Sequence, residues 1–163
     1  MNDELRKLAT EIGTLLTVRN LKLVTAESCT GGLVAAAITA ISGSSKYFER
    51  GFITYSNESK KELLGVPCET LEKYGAVSAE TAIAMAAGAL SRSRAQVSIA
   101  ITGIAGPTGG SKEKPIGTVY VGLASNFAST TAHLIYFSGN REAIRLEATK
   151  YALQLLAKNI NVT

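Results

Sequence analysis

Residues 23–36, LVTAESCTGGLVAA, pass from an apolar segment into the small polar run Glu27-Ser28-Cys29-Thr30-Gly31-Gly32 and then into an alanine-rich apolar stretch. The pattern predicts a strand that ends in a tight turn and delivers a hydroxyl to the start of a helix. Unpaired amides at a helix N-terminus, with the positive end of the helix dipole, favour an anion or a developing oxyanion, and paired glycines allow close approach to the main chain. Two readings of Ser28 follow: a nucleophile beside its own oxyanion donors, or, with Thr30, an ordinary N-cap.

Outward from this stretch, helices and strands alternate. The pattern predicts an amphipathic helix over 3–19, with Leu5, Leu8, Ile12, Leu15 and Leu16 on one face, a strand over 21–26 and a helix over about 30–41. Residues 47–55, YFERGFITY, read as a second strand, and Ser56 to Lys61 open a short helix ending near Gly65. A short helix over 68–74, a helix over 79–91 capped by Ser78, and a strand over 96–101 come next. Ten residues, Thr102 to Ser111, then contribute four glycines to a loop of the kind that carries function. Strands over 116–124 and 130–137 form an expected antiparallel hairpin, and a helix covers 140–158. The expected fold is α/β, a three-layer α/β/α sandwich with a mixed sheet of about five strands, in one domain spanning 1–163.

Composition narrows the function classes. The net charge of +4 comes from scattered pairs such as Arg6/Lys7, Arg92/Arg94 and Lys112/Lys114, with no aromatic interleaving, so no nucleic-acid stripe is expected. Two cysteines 39 positions apart and the single His133 give neither a metal cluster nor a disulfide framework, and His133 is expected as a packed or edge-strand residue. No metal or other cofactor is expected. The first residues mix charge into a helical pattern, and no 18-residue uncharged apolar run occurs, so the expectation is a cytoplasmic protein without a membrane partner.

P-loop, dinucleotide-binding and α/β-hydrolase signatures are all absent. What remains is Ser28 at one helix start and Lys60 at the next. If their strands are parallel neighbours, both lie in the crevice outside the strands' carboxyl ends. Lysine activates a serine only when neutral, which requires burial or a neighbouring cation. Lys61 either supplies that second charge or points to solvent, and Tyr55 is placed to relay a proton or orient the base. Arg141, in the first turn of the last helix, opposes the helix dipole, which favours an anion-binding role.

Six ordered blocks, AESCTGG at 26–32, YSNESK at 55–60, GAVS at 75–78, TGIAGPTGG at 102–110, KPIGTVY at 114–120 and FSGNR at 137–141, resemble the CinA C-terminal domain family over essentially the whole chain. Stand-alone members of that family hydrolyse the carboxamide of nicotinamide mononucleotide to nicotinate mononucleotide and ammonia, and at 163 residues this chain is expected to be of that form. The resemblance implies Ser28 as nucleophile, Lys60 as general base and Tyr55 as an assisting group. It places Thr102 and Arg141 at the substrate site, with Gly103, Gly106 and Gly109 shaping it. Amides near Thr30 and Gly31 are expected to hold the oxyanion, the Gly31-Gly32 helix start to serve oxyanion or phosphate, and Arg141 with loop amides to cradle the phosphate. The partner is a small nucleotide, and a homo-oligomer is expected. The rival reading is a non-catalytic nucleotide- or partner-binding module, which would lack the Ser-Lys pair or block its pocket.

Overall fold

Strand β1 (Leu23–Glu27) is buried at every position, because it has a hydrogen-bonded neighbour on each side and helices on both faces. The computed structural model describes residues 1–162. Around β1 it places α1 (Asp3–Val18), α2 (Leu33–Thr39), β2 (Phe48–Ile53), α3 (Asn57–Leu64), α4 (Cys68–Tyr74), α5 (Ala79–Ser91), β3 (Val97–Gly103), β4 (Thr118–Ser125), β5 (Thr131–Tyr136) and α6 (Arg141–Val162). The sheet order is β2-β1-β3-β4-β5, with β1 parallel to both β2 and β3, and with β4 and β5 antiparallel additions. This is the expected mixed five-stranded sheet, and the expected hairpin is β4–β5.

Side-chain alternation sorts the core into two layers. Leu23, Ile99, Ile101, Val119 and Val121 point to the face covered by α1, α2 and α6, where they meet Ile12, Leu16, Ile38, Ala148 and Leu156. Val24, Ala26, Ala100 and Ala124 point the other way, onto Met85, Ala86 and Ala89 of α5 and Leu64 and Leu71 of α3 and α4. Small residues on this second face let α5 sit close to the sheet. A Cβ on Gly122 would run into the Ala82 carbonyl, and one on Gly88 into the Leu64 carbonyl.

Several boundaries differ from those expected. β2 is shorter at both ends, because Tyr47 closes a 3-10 turn (Ser44–Lys46) and tucks under α1 against Gly13, while Tyr55 lies beyond the last paired residue. α2 begins at Leu33 and not near Thr30, since residues 28–32 form a turn that ends in two left-handed glycines, Gly31 (φ 57) and Gly32 (φ 107). His133 lies on the edge strand β5, half-buried, with Nε2 3.2 Å from Thr131 Oγ1. Among the described residues no helix is long and apolar enough to cross a membrane.

Alanine at position 88 should gain up to about 1 kcal/mol of helix propensity. The clash with the Leu64 backbone reverses that sign, so Gly88→Ala is expected to destabilise the protein by about 1–3 kcal/mol in urea unfolding.

Candidate active site

All three parallel strands end at one edge of the sheet. From there the chain leaves β1 toward β2 but leaves β3 toward β4, so a crevice opens between the carboxyl ends of β1 and β3. Ser28 follows β1 and Gly103 ends β3. A cavity of about 230 Å³ at this point is lined by Ser28, Tyr55, Ile104, Gly106, Gly109 and Arg141, among others. The end of β1 is pinned from both sides, with Ser28 N–H donating to Ile101 O (2.9 Å) and Thr54 N–H donating to Glu27 O (2.8 Å).

Lys60 lies on the inner side of α3, whose start is set by Ser56 accepting a hydrogen bond from Ser59 N–H. It is 1% exposed. Its Nζ lies 3.0 Å from Ser28 Oγ, 2.9 Å from Thr54 O and 3.2 Å from Tyr55 O. Burial lowers the amine from its usual 10.5 to about 8. The arrangement therefore provides a hydroxyl, an amine that is neutral in a useful fraction of molecules, and an open cavity on the hydroxyl's far side. Lys61 is not the second cation, because it pairs with Glu58 (2.7 Å) on the outer face of α3.

Tyr55 touches Lys60 through its main chain. Its ring is largely exposed, and its phenol oxygen accepts a hydrogen bond from Arg141 (2.8 Å) at the cavity rim. Arg141 also donates to Gly106 O (2.8 Å), so two backbone and side-chain oxygens offset the unfavourable position of this cation at the start of α6. Thr30 and Thr102 face away from the cavity. Thr30 is fully buried and donates to Glu27 Oε1 (2.7 Å), while Thr102 donates to Ala76 O (2.8 Å) and so ties the 75–78 loop to β3.

Residue Glu27 carries a role that the pattern did not reveal. Its buried carboxylate accepts hydrogen bonds from the amides of Gly32 (3.2 Å), Val34 (2.9 Å) and Ala35 (3.1 Å) as well as from Thr30 Oγ1. Neither Ser28 nor Thr30 caps α2, and the Gly31-Gly32 helix start is not open to oxyanion or phosphate, because a protein carboxylate already fills it. Gly31 N–H is also spent, on Ser28 O (3.0 Å). Arg145, one turn beyond Arg141, was missed as well, and it donates to Cys29 O (3.0 Å) and Thr30 O (3.3 Å). An acid four residues before the paired glycines of a helix start was the available signal for Glu27, and the i,i+4 spacing from Arg141 was the signal for Arg145. Beside Ser28, burial pushes the Cys29 thiol up to about 11, so it stays protonated.

The family model described as the CinA C-terminal domain matches residues 5–160. The chain belongs to the CinA C-terminal domain family. This CinA domain is 50% identical over 155 residues to the nicotinamide-nucleotide amidohydrolase PncC of Escherichia coli (strain K12), covering 95% of the chain and 94% of that protein. It is 49% identical over 151 residues to a CinA-like protein of Geotalea daltonii, covering 93% of the chain but 36% of that longer protein. Among solved structures, the competence/damage inducible protein CihA from Agrobacterium tumefaciens superposes with a TM-score of 0.94 at 46% identity, covering 99% of this chain and 98% of that one.

Removal of the Glu27 carboxylate leaves three amides and a hydroxyl at the α2 start without their acceptor. Glu27→Ala is expected to cost about 2–4 kcal/mol by urea unfolding, with Glu27→Gln in between. An unchanged midpoint in the alanine variant would show that the cap contributes nothing.

Proposed function

We propose that this CinA domain is an amidohydrolase that releases ammonia from the carboxamide of a nicotinamide nucleotide, with Ser28 as nucleophile and Lys60 as general base. The observation that carries the reading is the surroundings of Lys60 Nζ. Two of its tetrahedral directions are taken by the Thr54 and Tyr55 carbonyls, and a third points at Ser28 Oγ. In the neutral amine the two hydrogens go to the carbonyls, so the lone pair faces the serine hydroxyl. A pKa of about 8 leaves about a tenth of the molecules in that form at pH 7.

In this reading Ser28 Oγ bonds to the carboxamide carbon as Lys60 takes its proton. The amide of Thr30, for which no acceptor is seen among the described residues, and that of Cys29, which meets only its own thiol sulfur, are the donors left for the oxyanion. Collapse of the tetrahedral adduct breaks the C–N bond, the Lys60 proton passes to the departing nitrogen, and ammonia leaves. Water then attacks the ester with Lys60 again as base, giving the nicotinate nucleotide and free Ser28. Arg141 spends only part of its donor set on Gly106 and Tyr55, so its remaining N–H groups and the amides around Gly106 and Gly109 suit a phosphate at the cavity rim. Relatives support the substrate class, since PncC of Escherichia coli is named a nicotinamide-nucleotide amidohydrolase. A binding module would have no use for a lysine buried against a serine.

Ammonia release from nicotinamide mononucleotide is the direct test, with Ser28→Ala expected to abolish it while the nucleotide still binds. Lys60→Ala should lower kcat by on the order of 10³-fold. The rate of the wild-type protein should rise about tenfold per pH unit below about 8 and level off above it, as the amine loses its proton. A flat profile from pH 6 to 9 would remove Lys60 as base. Arg141→Ala should raise KM for the mononucleotide far more than it lowers kcat.

A further inference from the structure

Between Ser28 and α2 the chain makes two successive peptide planes, Cys29–Thr30 and Thr30–Gly31, and the carbonyls of both accept hydrogen bonds from one side chain, Arg145. That side chain comes from the second turn of α6, 115 and 116 residues away in sequence. A trans peptide is rigid and its C=O and N–H point in opposite directions. Anchoring the Cys29 carbonyl therefore fixes where the Thr30 N–H points. Anchoring the Thr30 carbonyl likewise fixes the Gly31 N–H, which closes the turn on Ser28 O at 3.0 Å. Arg145 does not line the cavity, and it is packed against Gly31, where a Cβ would lie 3.2 Å from its guanidinium.

A structural need alone does not account for this arrangement. The start of α2 is already held by Glu27, which takes the amides of Gly32, Val34 and Ala35. Arg145 acts on the other ends of the peptide dipoles, and on the residues between the nucleophile and that cap. The Cys29 and Thr30 amides, which the Glu27 cap does not take, lie there. A guanidinium suits the task because its planar fork offers several donors in fixed directions, so one side chain holds two carbonyls in register.

We propose that Arg145 is a positioning residue for catalysis, orienting the Thr30 amide directly and the Ser28 turn through the Gly31 N–H that closes on Ser28 O, without contacting the substrate. The proposal rests on the amidase reading above and extends it to a residue outside the cavity. It predicts a loss confined to the chemical step. Orientation errors of this kind and the loss of one oxyanion donor each lower rates by roughly a hundredfold.

The experiment compares wild type, Arg145→Lys and Arg145→Ala by steady-state kinetics on nicotinamide mononucleotide and by the rate at which a fluorophosphonate labels Ser28. Arg145→Ala should lose about a hundredfold in kcat, keep KM within about twofold, lose labelling rate in parallel, and keep the same pH break as wild type. Added methylguanidinium should restore part of the rate. Arg145→Lys keeps the charge but lacks the fork, and should fall between the two; if the alanine variant does not fold, this variant carries the test. A raised KM with kcat intact would make Arg145 a substrate ligand and overturn the proposal, as would a folded alanine variant with wild-type kcat and labelling. Wild-type protein that neither releases ammonia nor is labelled would sink the amidase reading itself, and Arg145 with it.

Discussion

Burial of the Lys60 amine behind the end of β1 is the constraint on which the site depends. An ammonium removed from water is unfavourable, and here no carboxylate neutralises it; its partners are two main-chain carbonyls and a hydroxyl. The folded protein therefore binds the Lys60 proton less tightly than the unfolded chain does. With the amine lowered from 10.5 to about 8, roughly 3 kcal/mol of stability is given up at pH values below 8, where both states are protonated, and is regained as pH rises from 8 toward 10.5. The rest of the fold supports that cost. The core on the α5 face of the sheet packs Leu64 of α3 against Val24 and Ala26 of β1, and Lys60 is left 1% exposed with its amine turned to Ser28.

A pair of opposite charges organises the serine side. Glu27 takes hydrogens from the start of α2, and Arg145 offers hydrogens to the carbonyls just before it, so the Ser28 turn is held between an anion and a cation acting on opposite ends of its peptide dipoles. One consequence concerns electrostatics. A helix start beside a nucleophile ordinarily contributes positive potential for anions, but a carboxylate seated on it cancels much of that field. In the proposed reaction, anion binding then falls to Arg141 and the glycine loop across the cavity, and the amides next to Ser28 are left for the oxyanion. The crevice keeps its two ends chemically separate.

Much of this was legible in the chain. The alternation of strand and helix patterns, the strand-to-turn-to-helix passage at 23–36 and the second helix start at Lys60 led to the sheet and to the Ser28–Lys60 pairing, because hydrophobic periodicity and local turn chemistry are properties of short segments. Where the expectation failed, the deciding contact was long-range or depended on which way one residue faced. Lys60 and Lys61 are adjacent and identical in type, yet α3 turns one to the serine and the other to Glu58 at the surface. Thr102 sits in the family's site motif, but strand alternation sends its hydroxyl to Ala76 and away from the cavity. Tyr55 was expected to relay a proton or orient the base. Its carbonyl meets the lysine, and its phenol meets Arg141.

The sequence by itself determined the order of elements, the sheet class, the serine, the lysine and the glycine-rich loop, since each is written in local pattern and residue type. Tertiary structure alone decided that β1 lies between β2 and β3, that Glu27 and not a hydroxyl caps α2, and that Arg145 reaches back to the Ser28 turn. Strand order and the partners of buried polar groups are set by how distant segments pack together, and no local window of sequence contains both halves of such a contact.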